Sequence, residues 1–241
     1  DGKCRIICFG DFRQLPPVGN SWRGTSVNPS IFQNSRLFKL WCDTVVFTLR
    51  RCRRCDPVQF NLYMNLPDSL RTAIKLCKRN YQNTQEDAGT HLVIRHRHRR
   101  AISLEKQAAA AVGQQTVLIP AGDDPEYTCF VGTRLVGSCT NHKFINGARY
   151  TVLCVLPAII LQDDLTKESF PTTPEQVSRN TLLAWAIVYN KAQGDTLQGR
   201  VCLHSLDSRH LSLKHLFVGL PRVAQGKLLA ISNSCQQACP F

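Results

Sequence analysis

The chain has 241 residues, of which 43% are hydrophobic, so it is long enough to bury one large core or two smaller ones. Thirty Lys and Arg residues against 17 Asp and Glu residues give a formal net charge of +13, which favours a polyanion such as nucleic acid as the partner. No apolar run approaches the roughly 20 residues that a membrane helix needs, and the N-terminal residues lack a signal-peptide pattern. These features argue against a membrane protein and against a secreted precursor.

The chain contains 12 cysteines, and several of them lie inside apolar, strand-like runs, as Cys4, Cys8, Cys154 and Cys202 do. In such a run a free thiol behaves as a small hydrophobic side chain. Disulfide scaffolds, in contrast, are typically small chains without a real core. We therefore predict a reducing compartment, the nucleus or the cytoplasm, and no secretion.

The first part of the chain alternates strand and helix patterns. The apolar run 4–9, ended by Gly10 and Asp11, predicts a buried strand of an α/β sheet, so that the chain is expected to begin within a domain. Residues 44–49 predict a second strand. The stretch 69–79 predicts a helix capped by Asp68, with one apolar stripe formed by Leu70, Ala73, Ile74 and Cys77.

A second α/β unit is predicted to start near residue 90, with a strand at 92–94 and a helix at 101–112 that stops at Gly113. Short β-rich segments between 127 and 161, separated by turn-forming residues, predict a small antiparallel barrel inserted in this unit. Residues 163–180 are predicted to form a loop. The later elements are predicted as buried strands at 182–189, 200–205 and 227–231 and a helix at 211–220.

The most specific motif is the segment GDFRQLPPVG, Gly10 to Gly19. A strand that ends in Gly-Asp, followed by a Gln and a stiff Pro-Pro pair, projects one amide side chain from the carboxyl edge of a sheet, where α/β proteins bind ligands. The alternative is a capped turn with a surface Gln. The segment resembles motif III of superfamily 1B DNA helicases of the PIF (petite integration frequency) type, related more distantly to RecD-like helicases. The resemblance implies that Gln14 contacts the terminal phosphate of ATP, with Gly10 and Asp11 also in the nucleotide site.

The segment 49–60, LRRCRRCDPVQF, resembles the family's pattern of a Leu, an Arg and then Asp and Phe. In the family this Arg reaches the γ-phosphate from the cleft between two RecA-like domains. Arg54 is the best match and Arg53 is the alternative register, so the resemblance implies a catalytic role for Arg54. A basic cluster at the surface is the alternative without function.

The segment 189–197, YNKAQGDTL, resembles motif V, in which Asn190 replaces the usual His. A turn whose Gly frees backbone N–H groups, with Lys and Thr donors nearby, suits the binding of phosphates. The resemblance implies nucleotide contacts for Gln193 and Gly194. It implies DNA contacts for Lys191 and Thr196.

Two further segments resemble the same family in the same order. Residues 143–153 resemble the Asn-Gly hairpin of the inserted barrel, which implies that Asn146 and Gly147 bind DNA, although an Asn-Gly turn alone indicates only a hairpin. Residues 216–231 resemble motif VI, which assigns Arg222 as a catalytic residue that also binds nucleotide. Pro221 replaces the usual Ser, and because proline removes a backbone donor and ends a helix, a displaced arginine finger is one possible outcome.

The motifs that bind the first phosphates of ATP are missing from the sequence. No G-x-x-x-x-G-K-[ST] is present, since Gly2-Lys3 and Gly226-Lys227 lack both the upstream Gly and the following Ser or Thr. Asp163-Asp164 follows an apolar run, but its position after motif III indicates a turn and not a magnesium-binding pair. ATP and Mg²⁺ are therefore expected to need an N-terminal RecA-like domain as partner, and the chain alone is expected to be inactive.

The resemblance implies an α/β fold of RecA-like, P-loop NTPase type, with parallel-sheet domains. Residues 1–50 would end the first domain, 51–89 would form a helical connection, and 90–241 would form the second domain with the small β-barrel at about 125–180. The implied function is the C-terminal part of an ATP-dependent DNA helicase that translocates on single-stranded DNA and unwinds DNA, in repair, recombination or replication.

Two other interpretations compete with the helicase. A non-catalytic basic module would bind nucleic acid without turnover, and the basic run 91–102 is either a phosphate-binding patch or a solvated helix start. A zinc-stabilised interaction domain would use Cys52-x-x-Cys55 together with Cys235-x-x-x-Cys239. Because no standard zinc-finger spacing links these two pairs, we favour free thiols and predict no metal site in the chain.

Overall fold

The computed structural model describes residues 13–14, 21–22, 25–26, 35–36, 39–40, 53–81 and 88–232. The predicted strands at 4–9 and 44–49 lie outside these residues, as do Gly10, Asp11, Cys52, Cys235 and Cys239. Within the first part of the chain, strands β1 (Ser21–Trp22) and β2 (Thr25–Ser26) pair antiparallel.

A four-stranded parallel sheet organises the second part of the chain. Its strands, in spatial order, are β11 (Ala186–Val188), β3 (Thr90–Val93), β12 (Val201–Leu203) and β13 (Leu229–Ile231). All neighbouring strands are parallel, and nearly every residue of these strands is buried, as a parallel sheet covered on both faces requires. The predicted α/β fold with a parallel sheet is therefore confirmed.

Among the residues that the structure describes, five α-helices accompany the sheets: α1 (Pro57–Met64), α2 (Leu70–Asn80), α3 (His96–Ala111), α4 (Pro174–Asn180) and α5 (Leu213–Gly219). Helix α2 buries Ala73 and Cys77 in the same core as Leu92 of β3. Its N-cap position is Ser69, so the predicted cap at Asp68 is wrong. In the described residues no helix has the length and apolar character needed to span a membrane.

Helix α3 begins earlier than the sequence predicted, at His96 and not at Ala101. The basic run that precedes Ala101 contains no Gly or Pro, and arginine favours helix, so the helix continues back through it. His96, Arg97 and Arg100 are exposed on the first turns, whereas Arg99 is buried. The basic run therefore lies at the start of a helix, and its role as a phosphate-binding patch stays a prediction.

A second sheet, entirely antiparallel, is inserted between α3 and β11. Its five strands, in spatial order, are β10 (Thr181–Leu183), β6 (Arg134–Gly137), β7 (Arg149–Cys154), β8 (Ile159–Asp163) and β9 (Ser169–Thr172). A separate hairpin pairs β4 (Val117–Ile119) with β5 (Tyr127–Cys129). These elements enclose their own core, which includes Ile119, Leu135 and Tyr150. Closure of the sheet into a barrel remains a prediction.

Two predictions in this region are wrong. The predicted loop 163–180 contains β9 and α4, and α4 starts with a capping box in which Thr173 and Gln176 bond each other's backbone N–H groups. The predicted strand 182–189 is split, because β10 joins the antiparallel sheet while β11 joins the parallel one. Asp163 does lie at a turn, where its carboxylate accepts from the N–H groups of Leu165 and Thr166.

Candidate functional site

The segment 189–197, here called the Gly194 loop, follows the carboxyl end of β11. Its ends are fixed because Ala192 and Leu197 are buried, whereas Gln193, Gly194 and Thr196 are exposed. Gly194 has φ of +95°, a conformation that favours glycine. The loop thus presents the predicted nucleotide-contacting residues Gln193 and Gly194 to solvent on a fixed base.

Arg222 lies beneath this loop and is only 1% exposed. Its Nη1 donates to the carbonyl oxygens of Ala192 at 3.1 Å and Asp195 at 2.7 Å, and its own carbonyl accepts from the N–H of Leu197 at 2.8 Å. Burial and, to a smaller extent, the nearby charge of Arg54 lower the pKa of Arg222 to about 10, although Asp195 opposes them. Arg222 is therefore charged at neutral pH and holds the loop in place.

Pro221 does not turn Arg222 away from the Gly194 loop. Helix α5 ends at Gly219 and passes into a 3-10 turn, Leu220–Arg222, in which Pro221 has φ of −82° and ψ of 17°. The carbonyl of Leu220 accepts from the buried amide of Gln59 at 2.6 Å. The chain thus accommodates the proline within a short turn and still directs the guanidinium into the site.

Arg54 reaches the same loop from the segment before α1. It is half-buried, and its Nη2 donates to the carbonyl oxygen of Gly194 at 3.1 Å. Arg54 lies close enough to Arg222 to lower the pKa of that guanidinium. Two cations from distant parts of the sequence therefore converge on one glycine-containing loop, an arrangement that favours an anion with planar or tetrahedral oxygens.

Asp56 fixes Arg54 relative to Arg222. One carboxylate oxygen accepts from the N–H of Gln59 at 2.8 Å and caps α1, and the other accepts from the N–H of Gly226 at 2.7 Å, beyond the turn that carries Arg222. Burial alone would raise the pKa of Asp56, but the N–H groups of Gln59 and Gly226 outweigh it and lower the pKa. Sequence reasoning did not assign this role, although Asp56 is the Asp of the quoted Arg-containing motif.

We expect Asp56→Ala to lower the free energy of unfolding by about 1–2 kcal/mol at neutral pH, because the helix cap and the link to Gly226 are both lost. Since the folded-state pKa is lowered, this stabilisation is present above the ordinary aspartate pKa and disappears as the pH falls through the folded value. Urea unfolding at pH 7 and near pH 2 measures the difference. Asp68→Ala is the control, because Asp68 is exposed and does not cap α2. An equal loss in both variants would contradict the role of Asp56.

Gln14 is half-buried, and the preceding residue, Arg13, contacts α1 and α5. The adjacent Arg13 donates to the sulfur of Met64 at 3.0 Å, and its guanidinium carbon lies 5.4 Å from the centre of the Phe217 ring. Tyr63, next to Met64, is among the groups whose charge acts on Arg222. The contacts of Arg13 thus place its neighbour Gln14 close to α1 and α5.

Of the residues expected to bind DNA, Lys191 and Asn146 are in contact. Lys191 Nζ donates to Asn146 Oδ1 at 3.0 Å and to the carbonyl oxygen of Gly137 at 3.1 Å. Gly147, the next residue after Asn146, is exposed with φ of +86°, and Thr196 is exposed on the loop. Burial lowers the pKa of Lys191, and Arg99 lowers it further. The structure brings Lys191 and Asn146 into contact.

Two residues that sequence reasoning missed shape the antiparallel region next to the Gly194 loop. Arg149 lies 3.8 Å from the carboxylate of Asp195 in a partly exposed ion pair. Gly137 allows the backbone at Ile145 to pass close to β6, because a Cβ at position 137 would lie 2.1 Å from the carbonyl oxygen of Ile145. Neither role could be predicted from the sequence, because each depends on a partner that only the fold brings close.

A cavity of about 540 Å³ opens at the carboxyl ends of β3 and β11. Arg95, His96, Asn190, His210 and His215 line it together with Ile94 and Val188. The carboxyl edge of a parallel sheet is where α/β proteins bind ligands, and the basic lining suits an anionic one. Asn190, which stands where the motif usually has His, faces this cavity.

No protein-family model matches the chain, and no curated protein matches it. Solved structures do match it. The Pif1 helicase from Candida albicans is 17% identical with a TM-score of 0.60, and the match covers 94% of this chain and 64% of that one. Bacteroides Pif1 bound to ssDNA is 18% identical with a TM-score of 0.62, covering 95% and 62%. A structure of two coordinating Pif1 helicases at forked dsDNA is 18% identical with a TM-score of 0.59, covering 95% and 60%.

The chain therefore has the α/β, RecA-like fold of Pif1 helicases, and the predicted resemblance is confirmed at the level of the fold. It spans between 60% and 64% of the length of these three structures.

Proposed function

We propose that the chain is the C-terminal part of an ATP-dependent DNA helicase of the PIF type. The observation that carries the proposal is the convergence of Arg54 and Arg222 on the Gly194 loop, within a fold shared with Pif1 helicases. In this proposal Gln14 senses the γ-phosphate, and the two guanidinium groups stabilise the charge that develops on phosphoryl transfer to water. A structure of Bacteroides Pif1 in complex with ADP-AlF4, with a TM-score of 0.50, supports a nucleotide site in this fold.

The 241 residues supply only one side of such a nucleotide site. They contain no G-x-x-x-x-G-K-[ST] segment to cradle the phosphates of ATP. Mg²⁺ and the β- and γ-phosphates would be held by a P-loop RecA-like domain, and this chain would contribute the cations that act across the cleft. We therefore propose that the chain alone binds DNA but does not hydrolyse ATP.

The Gly194 loop is proposed to couple nucleotide to DNA. The carbonyl groups of Ala192, Gly194 and Asp195 accept from the two arginines, and the same loop carries Lys191, which contacts Asn146. If nucleotide binding moved Arg54 or Arg222, the Gly194 loop would therefore move with it, and Lys191 would move with the loop. Lys191, Thr196, Asn146 and Gly147 would contact backbone phosphates, which give affinity without sequence preference.

The test of this function measures single-stranded DNA binding and phosphate release by the 241-residue chain. For about four phosphate contacts, affinity for an oligonucleotide should fall about 50-fold between about 50 and 200 mM salt. Lys191→Ala should weaken binding and flatten the salt dependence, whereas Lys75→Ala, on the exposed face of α2, should change neither. ATP hydrolysis stimulated by DNA in a pure preparation would contradict the proposed division of the active site, and salt-independent binding would contradict the DNA contacts.

A second candidate is a basic module that binds nucleic acid without turnover. The net charge of +13 and the departures at Asn190 and Pro221 favour it. It predicts that DNA affinity stays the same whether or not a P-loop domain and ATP are present. The helicase proposal predicts that DNA affinity changes with the bound nucleotide.

A further inference from the structure

We propose that His91, Cys202 and His204 form a binding site for a zinc ion in the parallel sheet. The site is separate from the Gly194 loop and from the cysteine pairs that the sequence offered as zinc ligands. It uses two imidazoles and one thiolate from two neighbouring strands.

The register of the sheet brings these three side chains together. Strands β3 and β12 are parallel, with Cys202 paired to His91, and Cys202 and His204 lie two residues apart on β12. Because side chains alternate along a strand, all three side chains lie on one face of the sheet. Their ligand atoms all lie within 4.8 Å of one another, and His91 Nδ1 is 2.8 Å from His204 Nε2.

These distances fit a tetrahedral zinc ion after small side-chain movements. Zn–N bonds of about 2.0–2.1 Å and Zn–S bonds of about 2.3 Å place tetrahedral ligand atoms about 3.3–3.6 Å apart. Three protein ligands leave a fourth position for water, and His204, at 8% exposed, is the least buried of the three. The 2.8 Å contact between His91 Nδ1 and His204 Nε2 would be replaced by a bond from each nitrogen to the ion.

The protonation states also suit metal binding. Burial lowers the pKa of His91 to about 4 and that of His204 to about 3, so both imidazoles are neutral at pH 7, as ligands must be. The other cationic groups that act on them are Lys106 and His98 on α3 and Arg134 on β6. Burial raises the pKa of Cys202 to about 12, although Lys106 opposes this. Zinc would bind the thiolate form of Cys202, so the thiol proton would leave to solvent.

The experiment titrates the metal-free 241-residue chain with Co²⁺, which reports thiolate ligation through a ligand-to-metal absorption band. We expect one equivalent to bind, with a band that zinc abolishes by displacement. Cys202→Ser should lose the band and weaken binding by at least about 100-fold. Zinc at about a hundred times its Kd should raise the Tm of the natural chain by about 5–10 °C and that of Cys202→Ser by much less.

Two cysteine variants serve as controls. Cys129→Ser removes a thiol that is equally buried but lies in the antiparallel region, and Cys55→Ser disables the alternative Cys52-x-x-Cys55 site. Both should keep the cobalt band. Absence of cobalt binding by the natural chain, persistence of the band in Cys202→Ser, or its loss in Cys55→Ser would each overturn the proposal.

A measurement that does not depend on the folding of Cys202→Ser completes the test. X-ray absorption of zinc-loaded Cys55→Ser protein should show a coordination shell with one sulfur and two imidazole nitrogens. A shell without sulfur, or with two or more sulfurs, would contradict the site.

Discussion

In an enzyme reassembled with the P-loop domain of a Pif1 helicase, Arg222→Ala is expected to lower the turnover number for ATP hydrolysis about 10³-fold. The guanidinium would stabilise charge that develops on the transferred phosphoryl group, a contact made mainly in the transition state. The variant also removes the donor for the carbonyl groups of Ala192 and Asp195, so the Gly194 loop loses its anchor. The KM for ATP should change by a smaller factor than the turnover number, and any rise in KM would report the loosened loop.

Two variants separate the role of Arg222 from a general loss of charge. Arg222→Lys should restore little activity, because Nη1 bonds both carbonyl groups and a lysine has no further nitrogen left to contact the phosphoryl group. Arg71→Ala, on the exposed face of α2, should leave turnover unchanged. Steady-state phosphate release, measured across a range of ATP concentrations, gives both kinetic constants. If the reassembled Arg222→Ala enzyme hydrolyses ATP as fast as the reassembled enzyme with Arg222, the assignment of Arg222 to the catalytic site is wrong.

Asp124→Ala is expected to lower the free energy of unfolding by about 3–5 kcal/mol. Asp124 pairs with Arg99 on α3 through both carboxylate oxygens, and it also accepts from the N–H of Leu183 at 3.0 Å. Both charged residues are 4% exposed. The variant would leave a buried guanidinium without its counter-charge, so the Tm should fall by about 6–20 °C.

Asp123→Ala is the matched control, because Asp123 is the adjacent aspartate and is exposed. It should change the free energy of unfolding by no more than about 0.5 kcal/mol. Replacing both partners, as Arg99→Met with Asp124→Leu, should recover much of the loss, since no buried charge is then left unpaired. A thermal melt of Asp124→Ala that coincides with that of Asp123→Ala would show that the ion pair does not link α3 to the antiparallel region.

The parts of the fold that could be predicted from sequence are those with local signals. The apolar runs at 90–93, 201–203 and 229–231 form the parallel strands, and the apolar stripe of 70–80 forms a helix. The start of α3 was missed because the basic run before Ala101 was assigned to the segment before the helix. Arginine, however, is exposed to solvent and also has a high helix propensity. The strand boundary near Ala184 was missed because a continuous apolar run does not show that the chain moves from one sheet to another.

The candidate site followed the same rule. The motifs predict site roles for Arg54, Lys191 and Arg222; the structure gives their contacts, and the roles stay predictions. The supporting residues were not predictable, because their roles depend on partners far along the chain. The sequence placed Arg99 in a basic patch. In the structure its side chain is buried and pairs with Asp124, so Arg99 has a structural role. His91 and His204 are 113 positions apart, and only the strand register brings them together.

The most direct test of the helicase proposal is the ATPase activity of the reassembled enzyme with and without single-stranded DNA. Neither this chain nor the isolated P-loop domain should hydrolyse ATP appreciably, and hydrolysis should appear when both are joined and rise further when DNA is added. That result follows if Gln14, Arg54 and Arg222 complete a nucleotide site across the cleft and the Gly194 loop couples it to DNA. If the joined protein binds single-stranded DNA but hydrolyses no ATP, and nucleotide does not change its DNA affinity, the chain is a nucleic-acid-binding module and not part of a helicase.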